Sequence, residues 1–157
     1  MSEYTAVIAW ARGGATFTDN KYSRGHRWSF DGGIEVAASA SPHVVPLPLS
    51  VAAAVDPEEA FVAALASCHM LWFLSIAAKR GFVVESYRDE AAGVMAENAA
   101  GKLAMTKVTL HPTIAFAGKL RPTPSQHQAM HHEAHEQCFI ANSVTTDVRC
   151  EPVDISA

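Results

Sequence analysis

The sequence predicts an α+β protein that forms a single domain over residues 1–157. The predicted elements follow the order strands, helix, strands, helix, strand, which differs from the regular βαβ alternation of parallel-sheet proteins. The length suits one domain, and a composition that is 49% apolar and 18% charged is typical of globular proteins. The net charge of −4 gives no basic surface for nucleic acid.

The first third of the chain is predicted to form short strands and a proline-rich loop. Residues 4–12 (YTAVIAWAR) and 26–36 (HRWSFDGGIEV) are rich in strand formers, and a turn at residues 31–33 divides the second segment. Residues 39–56 contain three prolines, which exclude a helix and confine any strand to a sheet edge. The N-terminal residues have no basic region of the kind that opens a secretion signal, so a cytoplasmic protein is expected.

A long helix is predicted from residue 56 to residue 81. Asp56 suits the N-cap position, and Pro57 suits the first helical position. Glu59 lies three residues after Asp56, as the acidic partner in a capping box does, and Gly81 suits the position after the helix end. This helix is apolar on nearly every side and must be covered all round. A single sheet of about six short strands covers one side only, so we expect a homodimer with this helix in a shared core. The helix is long enough for a membrane span, but its alanines and polar residues argue against one.

The second half is predicted to continue with strands, a second helix and a last strand. Residues 82–97 and 102–116 are predicted strands joined by a turn at residues 98–101. Residues 123–138 are a predicted helix capped by Thr123 or Ser125, and residues 144–155 are the predicted closing strand.

The sequence contains three cysteines, which are the first candidates for reactive residues. An odd number of cysteines in a chain without a secretion signal argues against a framework of structural disulfides. Cys68 lies in the middle of the first helix, Cys138 at the end of the second, and Cys150 in the last strand, where packing is its expected role. By composition alone, each is compatible with a buried small apolar side chain.

Histidines in the second helix also suggest a metal site at first sight. His127, His131 and His135 are spaced four residues apart and share a helix face. No second ligand cluster is visible elsewhere in the sequence, so a solvated helix face is the preferred interpretation, and no metal is expected.

The segment PEEAFVAALASC, residues 57–68, resembles the first cysteine motif of the OsmC/Ohr family, the osmotically inducible protein C and organic hydroperoxide resistance proteins. In that family a Pro-Glu pair opens the central helix and a cysteine follows ten residues after the glutamate, as Cys68 follows Glu58. A second family cysteine closes a later helix, where Cys138 stands. The family usually has Cys-Pro at that point, whereas this chain has Cys138-Phe139. The matching order of elements implies an OsmC-like fold, with antiparallel sheets packed around long central helices in an intertwined homodimer.

The resemblance implies a thiol-dependent peroxidase that reduces organic hydroperoxides to alcohols. Cys68 would be the peroxidatic cysteine, which becomes a sulfenic acid, and Cys138 the resolving cysteine, which then forms a disulfide with it. The family suggests a dithiol reductant such as a lipoylated protein. No haem, flavin or other cofactor is expected, and neither nucleic acid nor a membrane is an expected partner.

The apolar surroundings of Cys68 are expected to bind the organic tail of the peroxide, because several large apolar side chains lie near it in the helix. The candidates are Phe61, Leu65, Leu71, Trp72 and Phe73.

An apolar site raises the pKa of a thiol, so a nearby cation must favour the thiolate. The family pairs an arginine with the glutamate of the helix start, which Glu58 matches. Arg24 is the favoured arginine and Arg27 the alternative. Ten helical residues rise about 15 Å. Glu58 must therefore act on Cys68 through a long arginine or across a dimer interface.

Two other functions are compatible with the sequence. The first is a non-catalytic protein of the same fold that binds an apolar ligand and has inert cysteines. The second is a histidine-based metal-binding protein.

Overall fold

The computed structural model describes residues 1–153, which form two compact units. The first unit comprises residues 1–60 and the second begins at Phe61. The part of the predicted closing strand that follows residue 153 lies outside the described residues.

The first unit contains an antiparallel sheet in the order β1-β2-β3. Its strands are β1 (Ala6–Ala9), β2 (His26–Phe30) and β3 (Glu35–Ala38). The predicted turn joins β2 to β3, and the φ of +83° at Gly33 lies in the left-handed region that glycine enters without a steric cost. Residues 39–56 form turns without a helix, as their prolines predict.

Helix α1 (Pro57–Lys79) begins and ends at the predicted signals. The Asp56 carboxylate accepts a hydrogen bond from the Glu59 N–H at 2.7 Å, and the Glu59 carboxylate accepts one from the Asp56 N–H at 3.3 Å. This reciprocal pair is the predicted capping box. Gly81, with a φ of +78°, follows the C-terminal end and permits the chain to reverse.

Helix α1 is long and apolar enough to cross a membrane by length and composition, a criterion that the core helix of a soluble protein also meets. Five of its residues are buried, at helical spacing along one face: Leu65, His69, Phe73, Ile76 and Ala77. This pattern is that of a helix with one face packed on a core. Other apolar residues of the helix stay accessible in the single chain, including Leu71, which is 61% exposed.

The second unit contains two sheets and a second helix. In one sheet β4 pairs with β7, and in the other the order is β5-β6-β8, with β8 parallel to β6 and all other pairs antiparallel. The strands are β4 (Val83–Asp89), β5 (Ala92–Glu97), β6 (Leu103–Leu110), β7 (Pro112–Ala117) and β8 (Asp147–Cys150).

Two predictions about the strands were wrong. Each of the two long strands predicted after α1 is divided in two, because the chain crosses from one sheet to the other at residues 90–91 and again at His111. The eight strands therefore lie in three sheets within residues 1–153, not in one. The turn predicted at residues 98–101 does join β5 to β6.

Helix α2 (Pro124–Gln137) is capped by Thr123, one of the two predicted caps, in a capping box with Gln126. Its buried face and that of α1 share a core cluster with β4 and β7. A second cluster joins α1 to β6 and β8. The cluster members that are fully buried are Phe73, Ala77, Met130 and Ala134 in the first and Leu65 and Val108 in the second.

Candidate active site

Cys68 lies at the centre of α1 and opens on an apolar pocket of about 510 Å³. The pocket is formed by one face of α1 and by the two residues that follow Cys138. Its lining comprises Ala64, Ser67, Cys68, Leu71, Trp72, Ser75, Phe139 and Ile140.

Cys138 follows the last residue of α2, and its buried thiol contacts Cys68. The Cys138 and Cys68 side chains interact, and the Ala141 N–H donates a hydrogen bond to the Cys138 sulfur at 3.4 Å. Burial, followed by the hydrogen bond to Cys68, raises the pKa of Cys138 to about 11. At neutral pH Cys138 is therefore protonated. Both cysteines are free thiols.

Two aromatic side chains form a wall of the pocket. The rings of Trp72 and Phe139 meet edge to face, with centroids 5.4 Å apart and planes at 82°. Phe139 is 68% exposed and Leu71 is 61% exposed, so an apolar surface surrounds the entrance to Cys68.

Of the five apolar residues predicted around the peroxide tail, Leu71 and Trp72 line this pocket. Leu65 and Phe73 are fully buried in the two core clusters, and Phe61 packs against the second cluster. Four helical residues of the lining lie four positions before Cys68 and three, four and seven positions after it, at Ala64, Leu71, Trp72 and Ser75. Leu65, three positions before Cys68, has a similar spacing but is turned into the core, so helical spacing alone does not separate pocket residues from core residues.

Phe139 and Ile140 were not predicted as pocket residues. The signal was present, because both directly follow Cys138. A chain that brings the Cys138 sulfur to Cys68 must also place the next residues beside α1.

The predicted arginines and Glu58 lie in the first unit. The Arg24 guanidinium donates to the Asn20 carbonyl at 3.1 Å, to the Asn20 side chain at 2.8 Å and to the Tyr22 carbonyl, and it stacks over the Tyr22 ring. Arg27 forms an exposed ion pair with Glu35 at 2.8 Å.

The buried Oε2 atom of Glu58 has no hydrogen-bond partner among residues 1–153, and no ion pair joins Glu58 to Arg24 or Arg27 there. The catalytic roles expected of these three residues therefore stay predictions.

A second cluster of chemically active side chains lies in the second unit. His69 of α1, His131 of α2 and Cys150 of β8 converge. The His69 Nε2 atom lies 3.0 Å from His131 Nδ1, and the Cys150 sulfur lies 3.6 Å from each of these nitrogens. The His131 Nε2 atom lies 3.3 Å from His127 Nε2.

The interpretation of this histidine face as solvated was wrong for His127 and His131, which are 4% and 3% exposed. They lie on the face of α2 that also buries Met130 and Ala134. Spacing within one helix shows which residues share a face, but it does not show that His69 and Cys150 meet that face from distant segments.

Burial is the largest cause of the pKa shifts in this cluster. It lowers the pKa of His69 to about 4 and that of His131 to about 3, with a smaller contribution from neighbouring histidines. Burial, with the negative charges of Asp89 and Glu151, raises the pKa of Cys150 to about 12. At pH 7 the two imidazoles and the thiol are therefore all neutral.

The chain is similar to known proteins over nearly its whole length. The family model described as OsmC-like protein matches residues 50–152. The solved structure of an OsmC-like protein of unknown function from Vibrio cholerae is 60% identical, with a TM-score of 0.96 over 98% of this chain and 100% of that chain. A comparison with curated proteins found no match.

More distant structures share the fold. An organic hydroperoxide resistance protein from Elizabethkingia anophelis is 16% identical, with a TM-score of 0.69 over 97% of this chain and 94% of that one. The organic hydroperoxide resistance protein OhrB of Bacillus subtilis is 20% identical, with a TM-score of 0.63 over 96% of this chain and 98% of that one.

Proposed function

Because this chain belongs to the OsmC-like protein family, we propose that it is a thiol-dependent peroxidase that reduces organic hydroperoxides to alcohols. The contact between the Cys68 and Cys138 thiols at an apolar pocket carries the proposal. The fold it shares with proteins described as organic hydroperoxide resistance proteins supports the choice of substrate class.

In the first step the Cys68 thiolate attacks the distal oxygen of the hydroperoxide. The O–O bond breaks, an S–O bond forms, and Cys68 becomes a sulfenic acid while the peroxide is reduced to an alkoxide. The protonated Cys138 thiol, which interacts with Cys68, can supply the proton for that alkoxide. Proton transfer releases the alcohol and converts Cys138 to a thiolate.

In the second step the Cys138 thiolate attacks the Cys68 sulfur. An S–S bond forms, the S–O bond breaks, and hydroxide leaves and takes up a proton to become water. The two side chains already interact, and a disulfide brings the sulfur atoms to about 2 Å. A dithiol reductant, for which we propose a lipoylated protein of the cytoplasm, then reopens the disulfide.

The pocket favours an organic peroxide over hydrogen peroxide. Its volume of about 510 Å³ and the side chains of Leu71, Trp72 and Phe139 can bury an alkyl or aromatic tail beside the reacting sulfur. Hydrogen peroxide has no tail and gains nothing from these contacts, so the structure predicts a slower reaction with it.

The test is the rate of thiol loss when cumene hydroperoxide, or the same dose of hydrogen peroxide, is added to the reduced protein. We expect fast loss of two thiols with cumene hydroperoxide, slower loss with hydrogen peroxide, and no fast loss in Cys68→Ser. In Cys138→Ser the fast phase should consume one thiol and leave a sulfenic acid. Slow loss that is independent of both the mutation and the peroxide would favour a non-catalytic protein that binds an apolar ligand in this pocket.

We also propose that a second copy of the chain covers the apolar residues that α1 and its neighbours leave accessible. Leu71 and Phe139 are more than half exposed in the single chain, which is unusual for large apolar side chains beside a core helix. In such a homodimer Glu58 and Arg24 would act on the Cys68 thiolate across the interface.

Mixed dimers test the shared site. Cys68→Ser chains and Glu58→Gln chains are each expected to be inactive, and mixing them should restore activity at sites that combine the intact residue of each chain. Native mass spectrometry would verify that the mixed dimers form. Verified mixed dimers without recovered activity would place Glu58 and Cys68 in the same subunit's site or remove Glu58 from the mechanism.

A further inference from the structure

His69, His131 and Cys150 form a cluster that the proposed peroxidase mechanism does not use. We propose that these three side chains bind a zinc ion through His69 Nε2, His131 Nδ1 and Cys150 Sγ, with the fourth coordination position open to a water molecule. This inference is independent of the peroxidase proposal, because Cys68 and Cys138 take no part in it.

The distances between the three ligand atoms fit a tetrahedral zinc site. Zinc lies at roughly 2.0–2.1 Å from histidine nitrogen and roughly 2.3 Å from thiolate sulfur, which puts tetrahedral ligands roughly 3.3–3.6 Å apart. The observed separations are 3.0 Å between the nitrogens and 3.6 Å from the sulfur to each nitrogen. The nitrogens need to separate by a few tenths of an ångström, and the rings must turn towards the ion as it replaces their hydrogen bond.

The donor set is one that zinc prefers. Zinc binds neutral imidazole and thiolate, and sites with three protein ligands keep a position for water. Both imidazoles are neutral at pH 7, so a lone pair of each is available without loss of a proton. The Cys150 S–H bond breaks on binding, and its proton leaves to solvent.

The groups around the cluster are placed to support a bound ion. When His131 binds through Nδ1 its Nε2 atom carries the proton, and this atom lies 3.3 Å from His127 Nε2, which can accept a hydrogen bond. The buried His69 Nδ1 atom has no hydrogen-bond partner among residues 1–153. Asp89 and Glu151, whose charges act on Cys150, partly balance the positive charge that a dication adds.

The site also has an entrance. A pocket of about 220 Å³ opens on Cys150 and His131, and this volume is ample for a bound water. The other residues of its lining are Gln128, His132, His135, Val148 and Pro152. An ion bound there would link α1, α2 and β8, which come from three distant parts of the chain.

The experiment is a titration of the Cys68→Ser/Cys138→Ser double variant with Co²⁺, a spectroscopic substitute for zinc. This protein contains Cys150 as its single thiol, so thiolate-to-cobalt absorption can come from no other cysteine. We expect intense visible bands of four-coordinate Co²⁺ together with a thiolate-to-cobalt band, saturating at one ion per chain and abolished by one equivalent of Zn²⁺. The melting temperature should rise with added Zn²⁺.

Substitutions and a matched control decide the ligand assignment. In the double variant, the further substitution Cys150→Ser should remove the thiolate-to-cobalt band. The further substitution His131→Asn should weaken Co²⁺ binding by at least tenfold. His43→Ala removes an exposed histidine of the first unit, outside the cluster and its entrance, and should leave both the band and the binding unchanged. Circular dichroism would verify that each variant is folded. The proposal is overturned if the folded double variant shows no saturable thiolate–cobalt band, or if His43→Ala weakens binding as much as His131→Asn.

Discussion

At the residue scale, burial distinguishes the two cysteines that meet at the pocket. Cys138 is 1% exposed and its pKa is raised to about 11, whereas Cys68 opens on the pocket. A buried thiol that stays protonated is a weak nucleophile, because the reactive form is the thiolate. In the proposed mechanism, Cys138 would therefore stay protonated until Cys68 has been oxidised.

Alkylation of Cys138 should depend on pH accordingly. Its pKa of about 11 leaves little thiolate near neutrality, so its labelling by iodoacetamide should be slow at pH 7 and should rise about tenfold per pH unit up to its pKa. Mass spectrometry of the Cys138 peptide measures the rate, with the urea-unfolded protein as the control. Labelling at pH 7 as fast as in the unfolded chain would contradict this assignment of the proton.

The residues that the sequence identified and those it missed differ in one physical respect. Cys68 and Cys138, which the structure brings together, were identified through a local motif and an order of elements, which a single sequence displays. The side chains that surround them depend on which helix faces meet, and for this reason Leu65 proved to be a core residue while Phe139 proved to line the pocket.

At the element scale, α1 is fixed by its caps more than by an amphipathic pattern, because nearly all of its residues are apolar. The capping box at Asp56 and Glu59 satisfies two N–H groups that the first turn would otherwise leave unpaired. These interactions set where the helix begins, and therefore the turn on which Cys68 lies.

Asp56→Ala should lower the free energy of unfolding by about 1 kcal/mol, because the Glu59 N–H loses the carboxylate it donates to. Glu59→Gln is the matched control, because a glutamine side chain can still accept from the Asp56 N–H, as in capping boxes generally. Urea denaturation of both variants measures the difference. Equal destabilisation by the two substitutions would mean that charge near the helix start, and not the Asp56 cap, is what stabilises α1.

The strands were harder to predict than the helices. The alternation along β6 and β7 runs from Val108 and Leu110 to Pro112 without interruption, although β6 and β7 belong to different sheets. An alternating pattern records which side chains are buried, but it carries no information about the strand each one pairs with. The α+β class and both helix caps could therefore be predicted, whereas the division into three sheets could not.

At the scale of the whole molecule, the second unit buries neutral histidines between elements from distant parts of the sequence. His69 and His131 have pKa values of about 4 and about 3, against 6.5 for an unperturbed histidine. An unfolded chain takes up a proton at each of them when the pH falls below about 6.5, and the folded protein does not. The contribution of these two histidines to the free energy of unfolding is complete above pH 6.5. It declines as the pH falls toward their pKa values in the folded protein.

We therefore expect the metal-free protein to lose stability on acidification from about pH 6.5 to about pH 4. Each histidine should contribute about 1.4 kcal/mol per pH unit in this window. Urea denaturation in the presence of a chelator measures the slope. His131→Asn should reduce the slope of the unfolding free energy against pH by the contribution of one histidine. His132→Asn, at an exposed position, should leave that slope unchanged. An unchanged slope in His131→Asn would contradict the buried neutral state of that side chain.

The product of a single turnover shows whether Cys68 pairs with Cys138. Reduced wild-type protein would be treated with one equivalent of cumene hydroperoxide and analysed as the intact mass and as peptides. We expect the loss of two hydrogen atoms and a disulfide that joins the Cys68 and Cys138 peptides, with Cys150 still a free thiol. An unmodified Cys68, or a disulfide that contains Cys150 in place of Cys138, would contradict this pairing.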